Sequence, residues 1–149
     1  MSLSLQEISD RIEIQDLLVR YSHCIDTRDW EGLDEVFTPD AFIDYSAFGG
    51  SVGTLAETKD FLGKAMVAFK SFQHMISNMM VELDGDRATA RTICHNPMVM
   101  ERDGGEHVFI CGLWYVDEIV RTDAGWRIAK RVEERCYVDN MPRDLVPPS

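Results

Sequence analysis

The sequence predicts an α+β fold with helices packed on one face of a curved sheet. Three observations predict it. Apolar residues at helical spacing, introduced by capping signals, are confined to the first half of the chain. After residue 70 the pattern changes to long alternating segments. These are punctuated by turn chemistry at "DGD" (84–86), "RDGG" (102–105) and "TDAG" (122–125), which implies four strands in an antiparallel meander. Helices followed by a run of hairpins segregate to one side of a sheet.

Each element has its own signal. Ser4 with Glu7 is a capping box, and Leu5, Ile8, Ile12, Leu18 and Tyr21 recur at near-helical spacing, giving a first helix over about residues 4–25. Asp29 is placed to cap a second, short helix in which Trp30, Leu33, Val36 and Phe37 share one face, with Pro39 as its stop. "AFIDYSAF" (41–48) alternates as a short strand. The Gly-rich "GGSVG" leads to a second capping box, Thr54 with Glu57, and to a third helix striped by Phe61, Leu62, Ala65, Met66 and Phe69. Trp114 and Trp126 fall on the later strands as core or interface bulk. The Pro-rich end, "MPRDLVPPS" (141–149), reads as an extended arm on a single domain whose core spans about residues 5–140.

Composition narrows the function. A chain of 149 residues suits one domain, which buries roughly 70% of its unfolded surface. A net charge of -11 with no basic run interleaved with aromatics makes nucleic acid an unsuitable partner. No apolar run approaches the roughly 20 residues of a membrane span, and the N-terminus lacks a basic segment followed by an apolar core. A cytoplasmic protein with no membrane partner is therefore expected. The four cysteines form no C-x-x-C pair and are expected to be reduced. His23, His74, His95 and His107 show no i,i+4 or H-x-H pairing, so no metal is expected. Neither a G-x-S-x-G elbow, a phosphate loop nor a dinucleotide fingerprint occurs, so no cofactor is expected either.

Chemistry concentrates in two places. "RYSHCIDTRDW" (20–30) puts Tyr21, His23, Cys24 and Asp26 into the last turn of the first helix. "SFQHMISN" puts His74 near the start of the first long strand, with Ile76, Asn78 and Met80 on its face. If the helix closes over the sheet, its last turn lies at the mouth of the concave face. There Asp26 accepts a hydrogen bond from His74 Nδ1, fixes its tautomer and leaves Nε2 as a general base. The plainer alternatives are a satisfied strand histidine and a helix-end cap. Tyr21 points into the same cavity or is a core tyrosine, and Tyr45 has similar standing. One of His95 and Asn96 faces the cavity, since they lie on opposite parities of one strand. Arg131 shares a face with Ala129 and Glu133, while His23 and His107 read as surface residues. In "HVFICGLWYVDEIV" both parities are apolar: Val108, Ile110 and Trp114 on one, Phe109, Cys111, Leu113 and Tyr115 on the other. Only one can line a cavity, so the other predicts a homo-oligomer.

The segments "IQDLLVRYSHCID", "FTPDAFIDYSAFGG", "FQHMISNMMVELDGDRATA" and "DAGWRIAKRVEERCY" resemble the SnoaL-like group of the nuclear-transport-factor-2-like superfamily. The resemblance implies a cone-shaped, curved mixed sheet with three N-terminal helices enclosing a cavity. Asp26 and His74 match the pair of the branch that holds scytalone dehydratase, hexachlorocyclohexane dehydrochlorinase and the bile-acid 7α-dehydratases. Tyr21, Cys24 and Asp26 are similar to the Y-x-x-C-x-D arrangement of the last of these; Asn96 stands where that family is acidic, and Arg131 where the dehydrochlorinase has an arginine. The implied function is a cofactor-free lyase of the dehydratase type, or an isomerase, acting on a small apolar cyclic molecule. His74, Asp26 and Tyr21 would be catalytic, and Tyr45, Asn96 and Arg131 substrate-binding. A homotrimer or homodimer is implied. The alternative is a non-catalytic ligand-binding protein or the small structural subunit of an aromatic-ring-hydroxylating dioxygenase.

Overall fold

The computed structural model describes residues 2–147. Helix α1 (Leu5–Asp26) starts at the expected capping box: Glu7 N–H donates to Ser4 Oγ at 3.1 Å and Ser4 N–H donates to Glu7 Oε2 at 2.7 Å. Its buried face is Asp10, Ile14, Leu17, Leu18, Tyr21 and Ile25. The expected stripe therefore splits. Leu18 and Tyr21 point inward, whereas Leu5, Ile8 and Ile12 are exposed, because they sit on the opposite side of the 3.6-residue period.

Asp10 is the polar member of the buried face. Its carboxylate accepts from Arg121 Nη1 and Nη2 at 2.8 and 2.9 Å, from Trp126 Nε1 at 3.2 Å and from Gln6 Nε2 at 3.0 Å. The Arg121 hydrogen bonds outweigh burial and hold the carboxyl at about 2. A depressed carboxyl stabilises the fold above its unfolded value near 4 and loses that contribution as pH falls toward the folded value. Stability should accordingly drop between about pH 4 and pH 2. Asp10→Asn should flatten that part of a urea-denaturation pH series; an unchanged slope would contradict the assignment.

The second helix is a 3₁₀ turn, Glu31–Glu35, although Asp29 Oδ1 does accept from Gly32 N–H at 3.0 Å. The strand expected at 41–48 is β1 (Phe37–Asp44), and 46–48 form another 3₁₀ turn. Pro39 lies inside β1 rather than stopping a helix. The strand can hold it because β1 bulges against its parallel neighbour between Phe37 and Phe42, and β2 (Val52–Thr54) pairs only with Phe42–Asp44. No ladder bond is needed from that position. Helix α2 (Leu55–Ala65) begins at the Thr54 and Glu57 capping box and ends in a 3₁₀ turn, Met66–Ala68, so Phe69 lies beyond the helix.

The first long strand is broken in two. Strands β3 (Ser71–Phe72) and β4 (Met75–Asp84) both pair with β5 (Arg87–Arg102), with Phe72 opposite Met98 and Met75 opposite His95. His74 sits in the step between them rather than in a strand. A bulge at Asn78, whose φ is +48°, resets the alternation. Ile76 consequently faces inward opposite the buried Cys94, while Met80, opposite Arg91, is exposed. The meander closes with β6 (Gly105–Thr122) and β7 (Gly125–Asp139) through turns at the three predicted sites.

The sheet is a curved, unclosed α+β arrangement in the order β2-β1-β7-β6-β5-β3, with β4 also on β5. The parallel β1–β7 pair makes it mixed. Both α-helices and the 3₁₀ turns at 31–35 and 66–68 precede the meander. Phe109, Cys111, Leu113 and Tyr115 of β6 point into the core, leaving Ile110 and Trp114 half-buried and Val108 exposed on the outer face.

The end of the chain is not an extended arm. Residues 143–145 form a 3₁₀ turn, Asp144 accepts from Arg102 Nη2 at 2.7 Å, and Asn140 Nδ2 donates to Val108 O at 2.7 Å. Pro148 and Ser149 lie outside the described residues. Among those described, no helix is long and apolar enough to cross a membrane.

Candidate active site

Between α1, α2 and the inner sheet lies a cavity of about 370 Å³, in the range of small-molecule sites. Its walls are mostly apolar, with Phe61, Leu62, Phe109 and Leu113 among them, and Met141 and Leu145 of the terminal segment border it too. The polar groups converging on it are Tyr21, Tyr45, His74, Asn96, Tyr115 and Glu133.

The end of α1 and the step before β4 meet at this cavity. Asp26 is the last residue of α1, where the chain turns through Arg28 at φ +56°. Its carboxylate accepts the His74 backbone N–H at 3.1 and 3.0 Å and lies 2.7 Å from His74 Nδ1. A carboxylate offers only acceptors, so Nδ1 donates and Nε2 is the basic nitrogen left over. Phe72 packs edge-on against the imidazole, with centroids 5.9 Å apart, and the Arg28 guanidinium covers Phe72. Ring and carboxylate are thereby fixed from both sides.

Tyr21 and Tyr45 share a hydrogen bond of 2.6 Å between hydroxyls. Burial pushes the Tyr21 phenol up to about 12 and raises that of Tyr45 well above its usual value, so both remain neutral. Asn96 is the cavity-facing member of its pair: it is buried, and its Nδ2 has no hydrogen-bond partner among the described residues. His95 points outward, where its Nδ1 lies 3.1 Å from the Tyr137 hydroxyl.

Arg131 corrects an expectation. It does not border the cavity but lies behind its wall, fully buried. Its Nε and Nη2 donate to the two Asp117 oxygens, each at 2.7 Å, and its guanidinium sits 4.0 Å from the ring centroids of both Tyr21 and Tyr115. Burial opposes the charge, but Asp117 outweighs it and holds the group protonated. A guanidinium occupied in this way supports the tyrosines and does not reach a ligand. Glu133 was noted in the sequence only as sharing Arg131's face, yet its side chain reaches the cavity. The signal was there in strand alternation, which puts Glu133 opposite the inward-facing Tyr115.

The comparisons with known proteins agree with this fold. The SnoaL-like domain family matches over residues 6–132. An uncharacterized protein of Mycobacterium tuberculosis strain H37Rv is 52% identical over 135 residues, 91% of each chain. A crystal structure from Kribbella flavida superposes with a TM-score of 0.81 at 26% identity, covering 89% of this chain and 94% of that one. The hexachlorocyclohexane dehydrochlorinase LinA-type3 of Novosphingobium barchaimii shares the fold, with a TM-score of 0.77 at 18% identity over 97% of this chain and 99% of its own. The chain thus belongs to the SnoaL-like domain family.

Proposed function

We propose that the protein is a cofactor-free lyase or isomerase that removes a proton from carbon in a small, largely apolar cyclic molecule. One observation carries the reading: an imidazole whose Nδ1 is bonded to Asp26 stands at the edge of an apolar cavity of about 370 Å³. His74 is the base, Asp26 orients it and stabilises the imidazolium, and Tyr21 with its partner Tyr45 hydrogen-bonds a substrate oxygen. The unpartnered Asn96 amide supplies a second donor in the same cavity. A dehydrochlorinase among proteins of this fold supports the view that such a cavity can house an elimination.

Proton abstraction can be read without the natural substrate. In D₂O the protein should exchange the hydrogens beside the carbonyl of cyclic ketones, cyclohexanone first, above the buffer rate by NMR. No catalysed exchange across such a panel favours the non-catalytic binding reading instead.

The outer sheet face supports self-association. Val108 and Tyr137 are about half exposed there, at 48% and 47%, beside Ile110 and Trp114, a patch that soluble monomers avoid. A homotrimer or homodimer is the expected state. Light scattering that returned the 17.0 kDa of one chain would exclude it.

A further inference from the structure

Glu133 is a half-buried acid that the dyad chemistry leaves unused. It stands on β7 opposite Tyr115 and borders the cavity that His74 also borders. Among the described residues its carboxyl has no hydrogen-bonding or ion-pairing partner. Arg131, two residues away on the same face, is committed to Asp117 through two bonds of 2.7 Å.

The groups acting on Glu133 come from every surrounding element. Burial disfavours its carboxylate, Arg131 favours it and Asp44 of β1 disfavours it; burial prevails and the carboxyl titrates at about 8. Tyr21 of α1, Tyr45 beside β1, Tyr115 and Cys111 of β6, and Cys94 of β5 also face this region, and burial keeps each of them neutral. Glu133 is therefore a carboxylic acid at neutral pH, able to donate a hydrogen bond, as carboxyls in apolar sites do.

Its position suits a second reacting group. His74 lies in the step between β3 and β4, which both pair with β5, and Glu133 is on β7, three strands across the curved sheet. Three strand spacings are about 14 Å along the sheet, and the two side chains come together as borders of one cavity of about 370 Å³. Base and acid each act from about 3 Å, and a cyclic substrate held in that shared cavity meets both.

We propose that Glu133 is the proton donor of this site, and that the substrate is accordingly a cyclic alcohol that loses water. The proposal rests on the reading of His74 as carbon base. His74 Nε2 takes the proton beside an activating carbonyl, the C–H electrons form the C=C bond, and the C–O electrons leave with oxygen. Glu133 gives that oxygen its proton, so water departs, leaving imidazolium and carboxylate. A proton returned from His74 to Glu133 through solvent restores the site. A halide leaves as a stable anion and needs no such donor, whereas hydroxide does.

Glu133→Gln preserves shape and removes the proton donor. In protein carrying ¹³C at the glutamate δ-carbon, one carboxyl should titrate with a midpoint near 8 and vanish in the variant. A Glu133 carboxyl titrating below pH 6 overturns the proposal whatever else is seen. Two probes then separate the readings: 3-hydroxycyclohexanone, which must lose water, and 3-acetoxycyclohexanone, which loses acetate unaided; both give cyclohex-2-enone. Glu133→Gln should slow loss of water about 10²-fold or more and loss of acetate less than about threefold, the difference expected of a proton donor. Equal effects on both probes, or none, overturn the role of Glu133. His74→Ala should lose both reactions; if it keeps both, the base assignment fails while the Glu133 titration still stands on its own.

Discussion

Alanine in place of His74 will leave the protein folded and slow proton abstraction by about 10²–10⁴-fold, the usual contribution of a positioned base. The fold should survive because the backbone N–H of residue 74 still donates to Asp26, and only the half-buried ring is lost. Asp26→Ala is a poorer test, since it removes the acceptor of that backbone bond together with the partner of Nδ1. Asp26→Asn keeps one acceptor oxygen and removes the charge, and should slow exchange while shifting the melting temperature little. The measurement is deuterium incorporation into cyclohexanone beside a circular-dichroism melt. Exchange at the wild-type rate in His74→Ala would mean the base lies elsewhere.

Asp117→Ala will destabilise the protein by about 3–5 kcal/mol, as when one partner of a buried ion pair is removed. Both side chains are essentially inaccessible, at 1% for Arg131 and 0% for Asp117. The guanidinium would remain between two tyrosine rings, and those cation–π contacts stabilise it by far less than its lost carboxylate. Replacing both partners with apolar residues, Asp117→Leu with Arg131→Met, should cost less than the single change, because no charge is orphaned. Urea denaturation of the three variants gives the comparison. A loss below about 1 kcal/mol for Asp117→Ala would place the pair among weak surface bridges. The change should also reach the cavity, since the same guanidinium packs on Tyr21.

Local signals in the sequence were followed faithfully by the chain, and long-range ones less so. Both capping boxes formed, and the turns at 84–86, 102–105 and 122–125 joined the strands they were expected to join. Asp26 and His74, 48 residues apart, came together as a pair. Three features escaped. Asn78 takes a positive φ without any glycine to announce it, so the face of Met80 was misread. Pro39 reads as a helix stop because its tolerance depends on an unpaired edge that only the β1–β7 register creates. Arg131 and Glu133 share one face and one charge scale, yet one is bound to Asp117 and the other faces the cavity. Their difference is set by a cross-strand neighbour, which alternation alone does not reveal.

Met141 and Leu145 border the cavity, and the segment that carries them is tied to the body partly by the Arg102–Asp144 pair on the surface. Such a pair contributes at most about 1 kcal/mol, so by itself it holds the segment only weakly. A local opening of this segment needs no unfolding of the sheet. Because the pair is ionic and solvent-facing, salt weakens it further. Asp26 and His74 are bonded to each other and not to this segment, so the pair and the border of the cavity can change independently.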